Sequence, residues 1–153
     1  MDSLNLAKFF RKELFIPSLK SKTKNSVIKE LIHPLIKLNV IKNESILYQT
    51  LIKRETLGST GIGKGVAIPH CRTLTVSDIY IVFGLSKKGI PFDAVDNKNV
   101  HIFFLIVAPP QDKNNRYLPL LGKIVEVVKD SKMHKALLKI EDYNSLIEII
   151  KNK

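Results

Sequence analysis

Residues 58–71 read Gly58-Ser59-Thr60-Gly61-Ile62-Gly63-Lys64-Gly65-Val66-Ala67-Ile68-Pro69-His70-Cys71. The glycine-rich first half is turn-forming and leaves many backbone N–H groups uncovered by side chains. Val66 to Ile68 has the β-branched, apolar character of a short buried strand. Pro69 cannot donate to a sheet ladder and fixes its own φ, which predicts that the strand stops there. It also pushes Ile68 toward extended geometry. His70 then projects from a stiff backbone, just past the end of a strand and beside a loop of free donors. Such donors suit an oxyanion, above all a phosphoryl group. From these residues alone, a core histidine satisfied by a backbone carbonyl stays open as the other reading.

On the N-terminal side, Val27, Ile28, Leu31, Ile32, Leu35 and Ile36 recur at helical spacing and predict a helix over about 22–38. Pro34 falls inside that pattern and is expected to kink or split it. A second helix is predicted over about 44–54, after the cap candidate Asn43. A short edge strand is expected at Leu14 to Ile16. On the C-terminal side, Ile79 to Leu85 and Val100 to Val107 have strand composition and length. The last third reads as helical. Leu118, Leu121, Val125 and Val128 form one apolar stripe, and Leu120, Ile124 and Val127 widen it, so this helix should be largely covered. Shorter helices follow near 132–138 and 145–151. Helices on both sides of a central mixed sheet predict a three-layer α/β/α sandwich. No repeat, linker or low-complexity tract divides the 153 residues, so a single domain over 1–153, with its core at about 14–150, is expected.

Bulk composition narrows the functional classes. The hydrophobic fraction is 44% and the charged fraction 25%, as in ordinary globular proteins. No run approaches the roughly 18 apolar residues that span a bilayer, so no membrane insertion is expected. Residues 1–5 lack a secretion-signal layout, and one cysteine rules out an internal disulfide framework. A cytoplasmic location follows as the expectation. The net charge of +11 is spread along the chain without a basic block or interleaved aromatics, so a nucleic-acid role is not expected.

Three site readings fail on their own terms. Gly58, Gly63 and Lys64 nearly spell a nucleotide-binding P-loop, but Gly65 stands where the magnesium-holding Ser or Thr belongs. The order is also reversed, since this loop follows a helix and opens a strand. His33, His70, His101 and His134 show no metal-ligand spacing, so no metal is expected. Cys71 and His70, adjacent on a strand, point to opposite faces and make a poor nucleophile–base pair.

The stretch from Arg54 to His70, RETLGSTGIGKGVAIPH, resembles the signature of enzyme IIA of the phosphoenolpyruvate-dependent phosphotransferase system, of the fructose, mannitol and nitrogen-regulatory type. Pro91 to Asn97, followed by the apolar strand to Pro109, is similar to the family's second recognisable block. The likeness runs from about Leu14 to Ile150. It implies the sandwich fold and phosphorylation of His70, at Nε2, by a small histidine phosphocarrier protein (HPr-like). It places Arg54 beside the phosphohistidine, where charge-assisted bonds can form. It is also a cation favoured at a helix C-terminus. Backbone donors around Ser59, Thr60 and Gly61, with the two hydroxyls, are expected to bind the phosphoryl oxygens. Many family members carry a second histidine where this chain has Tyr117, a hydrogen-bond donor without positive charge. Asp93 and Asp96 are candidates for an acidic docking face toward a basic phosphocarrier. No nucleotide or other cofactor is implied. The expected function is a reversibly phosphorylated IIA that leans to the nitrogen-regulatory type, its state read by target proteins. The alternatives are a sugar-specific IIA passing phosphate to a IIB domain, or a IIA-like binding module that no longer transfers phosphate.

Overall fold

Nine consecutive residues of one strand, Val100–Ala108, organise the molecule: eight are buried and the ninth, His101, is half-buried. A strand covered on both faces reads as a continuous apolar run because helices lie over each side. In the computed structural model, which describes residues 1–112 and 114–152, this strand is β6. The other strands are β1 (Phe15–Ile16), β2 (Gly61–Gly63), β3 (Val66–Ala67), β4 (His70–Arg72) and β5 (Tyr80–Ile90). Their order is β1-β5-β6-β3-β2, with β4 also paired to β6. The sheet is mixed: β5 runs antiparallel to β6, whereas β3 and β4 run parallel to it.

Helices α1 (Ser3–Ala7), α2 (Lys24–Lys37), α3 (Glu44–Thr56), α4 (Tyr117–Lys129), α5 (Ser131–Leu137) and α6 (Tyr143–Lys151) cover the two faces. Side chains alternate across β5 and β6 with period two. Ile81, Phe83, Phe104 and Ile106 join Leu120, Ile124 and Leu146 in one core. Val82, Phe103, Leu105 and Val107 join Val27, Leu31, Leu47 and Leu51 in the other. Fully burying each such side chain stabilises the fold by about 1.5–3 kcal/mol. The three-layer α/β/α sandwich is therefore the observed architecture.

Several local expectations change. Pro34 lies within α2 without splitting it: the Leu38 N–H still reaches the Pro34 carbonyl at 3.0 Å. Asn43 caps α3 as expected, its side chain accepting from the Ile46 N–H. Part of the predicted 58–65 loop is strand β2, which pairs with β3 across a bulge. In α4 the buried side chains are Tyr117, Leu120, Ile124, Val127 and Val128, while Leu118 is 67% exposed. The inward stripe is thus the one that was expected only to widen it. The core also reaches further toward the N-terminus than residue 14. Asp2 caps α1, and Leu6 and Phe10 are buried beneath α4 and α6. Five residues are too few for periodicity to reveal such a helix.

His70 is the main departure. It opens β4 and sits inside the sheet, not beyond its end. Val66 lies opposite Ile102 and His70 opposite Ile106, so the register along β6 is the same on either side of Ile68-Pro69. Proline removes one donor but its carbonyl still accepts from the Ile106 N–H at 2.9 Å, and the ladder resumes at once.

Gly61 is where β2 meets the loop after β5. A Cβ there would stand 2.8 Å from Ala94 Cβ and 2.9 Å from Ala94 Cα, a backbone atom that has no rotamer to escape through. Gly61→Ala is expected to lower unfolding free energy by about 1–3 kcal/mol, as overpacking does, measured by urea denaturation.

Candidate functional site

The backbone of Ile68 bonds on the side away from β6, where it continues the pairing of β3 with β2. Its N–H donates to the Thr60 carbonyl at 3.0 Å, and its carbonyl lies 2.7 Å from His70 Nδ1. A carbonyl oxygen only accepts, so in the neutral imidazole Nδ1 carries the proton and Nε2 keeps the free lone pair. The ring is half-buried. Both sequence readings of this histidine therefore meet in one geometry: a backbone carbonyl satisfies one nitrogen and leaves the other available as a nucleophile.

Strand alternation assigns the neighbours. Cys71 points into the core under α2 and α3, where burial pushes its thiol up to about 12. His70 and Arg72, two residues apart, share the opposite face, toward α4. There the Tyr117 ring lies with its centroid 6.4 Å from that of His70, and the Arg72 guanidinium carbon stands 4.6 Å over the same ring. Burial pushes the Tyr117 phenol up to about 12, with a smaller push from Cys71, against the pull of the Arg72 and Arg54 guanidiniums. At neutral pH it is an uncharged hydroxyl. Tyr117 is fixed by the start of α4. The Asp112 carboxylate accepts from the Tyr117 N–H at 3.0 Å and from the Arg116 N–H and Nε. Burial acts to raise the Asp112 pKa, but these Arg116 bonds outweigh it and hold the carboxyl below its ordinary value.

Arg54 lies in the last turn of α3 and donates from Nη1 to the Gly58 carbonyl at 2.9 Å. This closes the turn that follows the helix, the role expected of a C-terminal cation. Next to it, Glu55 is buried and ion-paired with Lys24 at 3.1 Å. The Glu55 carboxylate accepts from both the N–H and the hydroxyl of Thr60. The Ser59 hydroxyl donates to the Phe92 carbonyl at 2.7 Å and accepts from the Gly61 N–H at 3.0 Å. The donors of Thr60 and Gly61 and the hydroxyl of Ser59, expected to face a phosphoryl group, are thus engaged within the protein. The turn is internally bonded because its buried polar groups would otherwise lack partners. It holds the Ile68 peptide in place through the Thr60 carbonyl.

Arg72 was not singled out in the sequence. A His-x-Arg pattern within a strand carries the signal, since residues i and i+2 share a face. Asp93 and Asp96 lie in the loop after β5. Asp93 sits 3.7 Å from Lys24, and Asp96 accepts from the Lys64 and Lys98 N–H groups. Among the described residues no three His, Cys, Asp or Glu side chains converge as a metal site would require. No helix among them is long and apolar enough to cross a membrane.

This geometry can be set beside known proteins. The family model described as "Phosphoenolpyruvate-dependent sugar phosphotransferase system, EIIA 2" matches residues 8–153. The chain belongs to that family. It is 33% identical over 133 residues to the PTS system fructose-specific EIIABC component of Bacillus subtilis, covering 87% of this chain but 21% of that larger relative. The chain thus spans about a fifth of the length of that protein. It is 29% identical over 138 residues to the nitrogen regulatory protein of Bradyrhizobium diazoefficiens, covering 90% of this chain and 89% of the relative. In fold it is similar to nitrogen regulatory protein IIA-Ntr from Neisseria meningitidis, with a TM-score of 0.87 at 23% identity, covering 95% and 99% of the two chains. It is also similar to enzyme IIA-mannitol of Escherichia coli in a complex with phosphorylated enzyme IIB-mannitol, with a TM-score of 0.77 at 20% identity, covering 94% and 98%.

Two outcomes test this site within the EIIA fold. Glu55→Ala leaves the Thr60 donors without their buried acceptor and is expected to cost about 1–3 kcal/mol of stability in urea melts. Cys71 needs its thiolate to react, and a thiol raised to about 12 stays protonated at pH 8. A thiol-specific chromogenic reagent is expected to label the native protein slowly and the urea-unfolded protein at once.

Proposed function

We propose that this chain accepts a phosphoryl group on Nε2 of His70 from a histidine phosphocarrier protein. The observation that carries the reading is the 2.7 Å approach of His70 Nδ1 to the Ile68 carbonyl, which presents Nε2 unprotonated on a half-buried ring. Family membership supports the reaction class. In the transfer, Nε2 attacks phosphorus and the donor's N–P bond breaks, its electron pair returning to the donor ring. Nδ1 keeps its proton, and the Ile68 carbonyl stabilises the positive charge that the ring acquires. No general base is needed, because the attacking nitrogen already holds a lone pair. The protein's task is to position the group and balance its charge, as in phosphoryl transfer generally. Arg54 and Tyr117 serve that purpose, and the Ser59–Thr60–Gly61 turn braces the Ile68 backbone that holds His70.

A carrier must lay its own histidine against this ring, so a docking face should surround it. Leu57 is 80% exposed, Leu74 81% and Leu118 67%. They follow Arg54, Arg72 and Tyr117 closely in the chain, and we assign them to the rim of this site. Exposed apolar side chains grouped in this way mark a protein interaction surface.

We favour the nitrogen-regulatory role, in which the phosphorylation state is itself the signal to target proteins in the cytoplasm. The support is the correspondence of this chain to nearly the full length of the Bradyrhizobium protein. Transfer onward to a IIB domain is the second reading, favoured by the 33% identity to the fructose-specific Bacillus component. Incubation with phosphoenolpyruvate, enzyme I and the phosphocarrier is expected to give an acid-labile, alkali-stable phosphate on His70. His70→Ala should abolish it while leaving the fold intact by circular dichroism. An unlabelled wild-type protein would leave the non-transferring binding module as the better account. Adding IIB proteins to the labelled chain separates the remaining two: loss of label to a IIB marks the sugar route.

A further inference from the structure

We propose that Arg72 is the second guanidinium that receives the phosphoryl group on His70, carried into position on the ring of Tyr117. This deepens the reading of His70 as the acceptor and rests on it.

The argument starts from alternation. β4 pairs residue by residue with β6 from His70 to Arg72, so both side chains leave the same face of the sheet. The Tyr117 ring occupies that face beside His70 and lies under the Arg72 guanidinium at 4.6 Å, a cation–π distance. One aromatic side chain therefore contacts the nucleophile's surroundings on one flank and orients a cation on the other. The guanidinium is otherwise lightly held. Its protein hydrogen bond is one long contact from Nη1 to the Pro110 carbonyl at 3.4 Å, and no carboxylate among the described residues pairs with it. Arg116, by contrast, is tied to both Asp78 and Asp112. Arg72 is exposed and keeps most of its N–H fork free, a donor set matched to phosphate oxygens.

Charge supplies the need. A phosphoryl group on Nε2 brings up to two negative charges to a face where Tyr117 is a neutral phenol. Arg54 has one nitrogen bonded to Gly58 and remains the other cation acting on Tyr117. Two guanidiniums and the imidazolium formed on transfer balance the incoming group without a metal. Positioned donors of this kind act where charge accumulates and need no rearrangement during the transfer.

The test measures phosphorylation rate and phosphohistidine lifetime for wild type, Arg72→Gln, Arg72→Lys, Tyr117→Phe and Arg72→Gln with Tyr117→His. Arg72→Gln is expected to slow transfer by about 10²-fold with an unchanged thermal melt. Arg72→Lys recovers part of the rate by restoring charge without the fork. Tyr117→Phe keeps the ring that carries the guanidinium and loses only the phenol donor, so its loss should be much smaller. Tyr117→His in the Arg72→Gln background should recover transfer, and increasingly so below pH 6.5, where imidazole is charged. An Arg72→Gln protein with wild-type rate and wild-type phosphohistidine lifetime overturns the proposal. Should the wild type itself take no label, the acceptor reading fails separately. Inorganic phosphate titrated against His70 ring resonances then decides on Arg72: weaker binding to Arg72→Gln supports it, and equal binding overturns it.

Discussion

The structure of the site depends on one residue, Ile68, whose backbone groups face away from the central strand β6. Ile68 sits in a strand line that runs along β6, yet neither its N–H nor its carbonyl bonds to β6. The N–H goes to Thr60 and the carbonyl to His70 Nδ1. Alternation along the strand sets this, since Gly65 and Pro69 accept from β6 while Ile68 faces the other neighbour, and Pro69 holds Ile68 extended. A chain of bonds then runs from the buried Glu55 carboxylate to Thr60, from Thr60 to Ile68, and from Ile68 to the imidazole. The Glu55, Thr60 and Ile68 links are buried, and satisfied buried polar groups of this kind stiffen the path that ends on the half-buried imidazole. The lone pair on Nε2 is therefore set by the backbone and by α3, not by a neighbouring side chain that must move.

The same turn explains why two roles expected of one loop belong to different parts of the protein. Backbone donors next to a nucleophile are the natural guess for oxyanion binding, and Thr60 and Gly61 sit where that guess puts them. Their hydrogen bonds, however, point inward to Glu55 and Ser59. A donor that holds the scaffold cannot also meet a ligand without breaking the scaffold. Side-chain donors lie on the His70 face: the Tyr117 phenol, the Arg72 guanidinium over its ring, and the Arg54 guanidinium that acts on the same phenol. The donors on this face thus come from three separate elements, α3, β4 and the start of α4, which only the tertiary fold brings together.

Most of the architecture was legible because its signals are periodic and long. The β5 and β6 runs, the α2 and α3 stripes and the Asn43 cap each repeat or punctuate the chain in a way that local physics fixes. The errors fall where that physics is short or contested. α1 has only five residues. In α4 two apolar stripes overlap, and the side that faces inward is decided by Tyr117 being anchored through Asp112, a contact five residues long that hydropathy does not report. Pro69 was read correctly as a ladder break and wrongly as a strand end, because the parallel partner β6 continues and captures the chain again at His70. His70 and Arg54 were singled out from a motif. Arg72 was not, since only the fold lays it over the Tyr117 ring.

The placement of the nucleophile follows from the topology. β4 and β6 are parallel and end together, with Arg72 opposite Ala108. Crevices at the carboxyl ends of parallel strands are where open α/β sheets bind ligands. The next element after β6 is α4, and its first residue, Tyr117, lies against His70 and Arg72 at that same end. His70 stands on a short strand bonded to the most buried strand of the sheet, so its backbone is braced by both cores at once. Arg54 and Tyr117 stand at the end of one helix and the start of another, where side chains can reach inward from the rim. An imidazole braced in this way is open from one side only, the other side being the packed interior around Cys71, and that one-sided access fits the proposed exchange of a phosphoryl group with another protein.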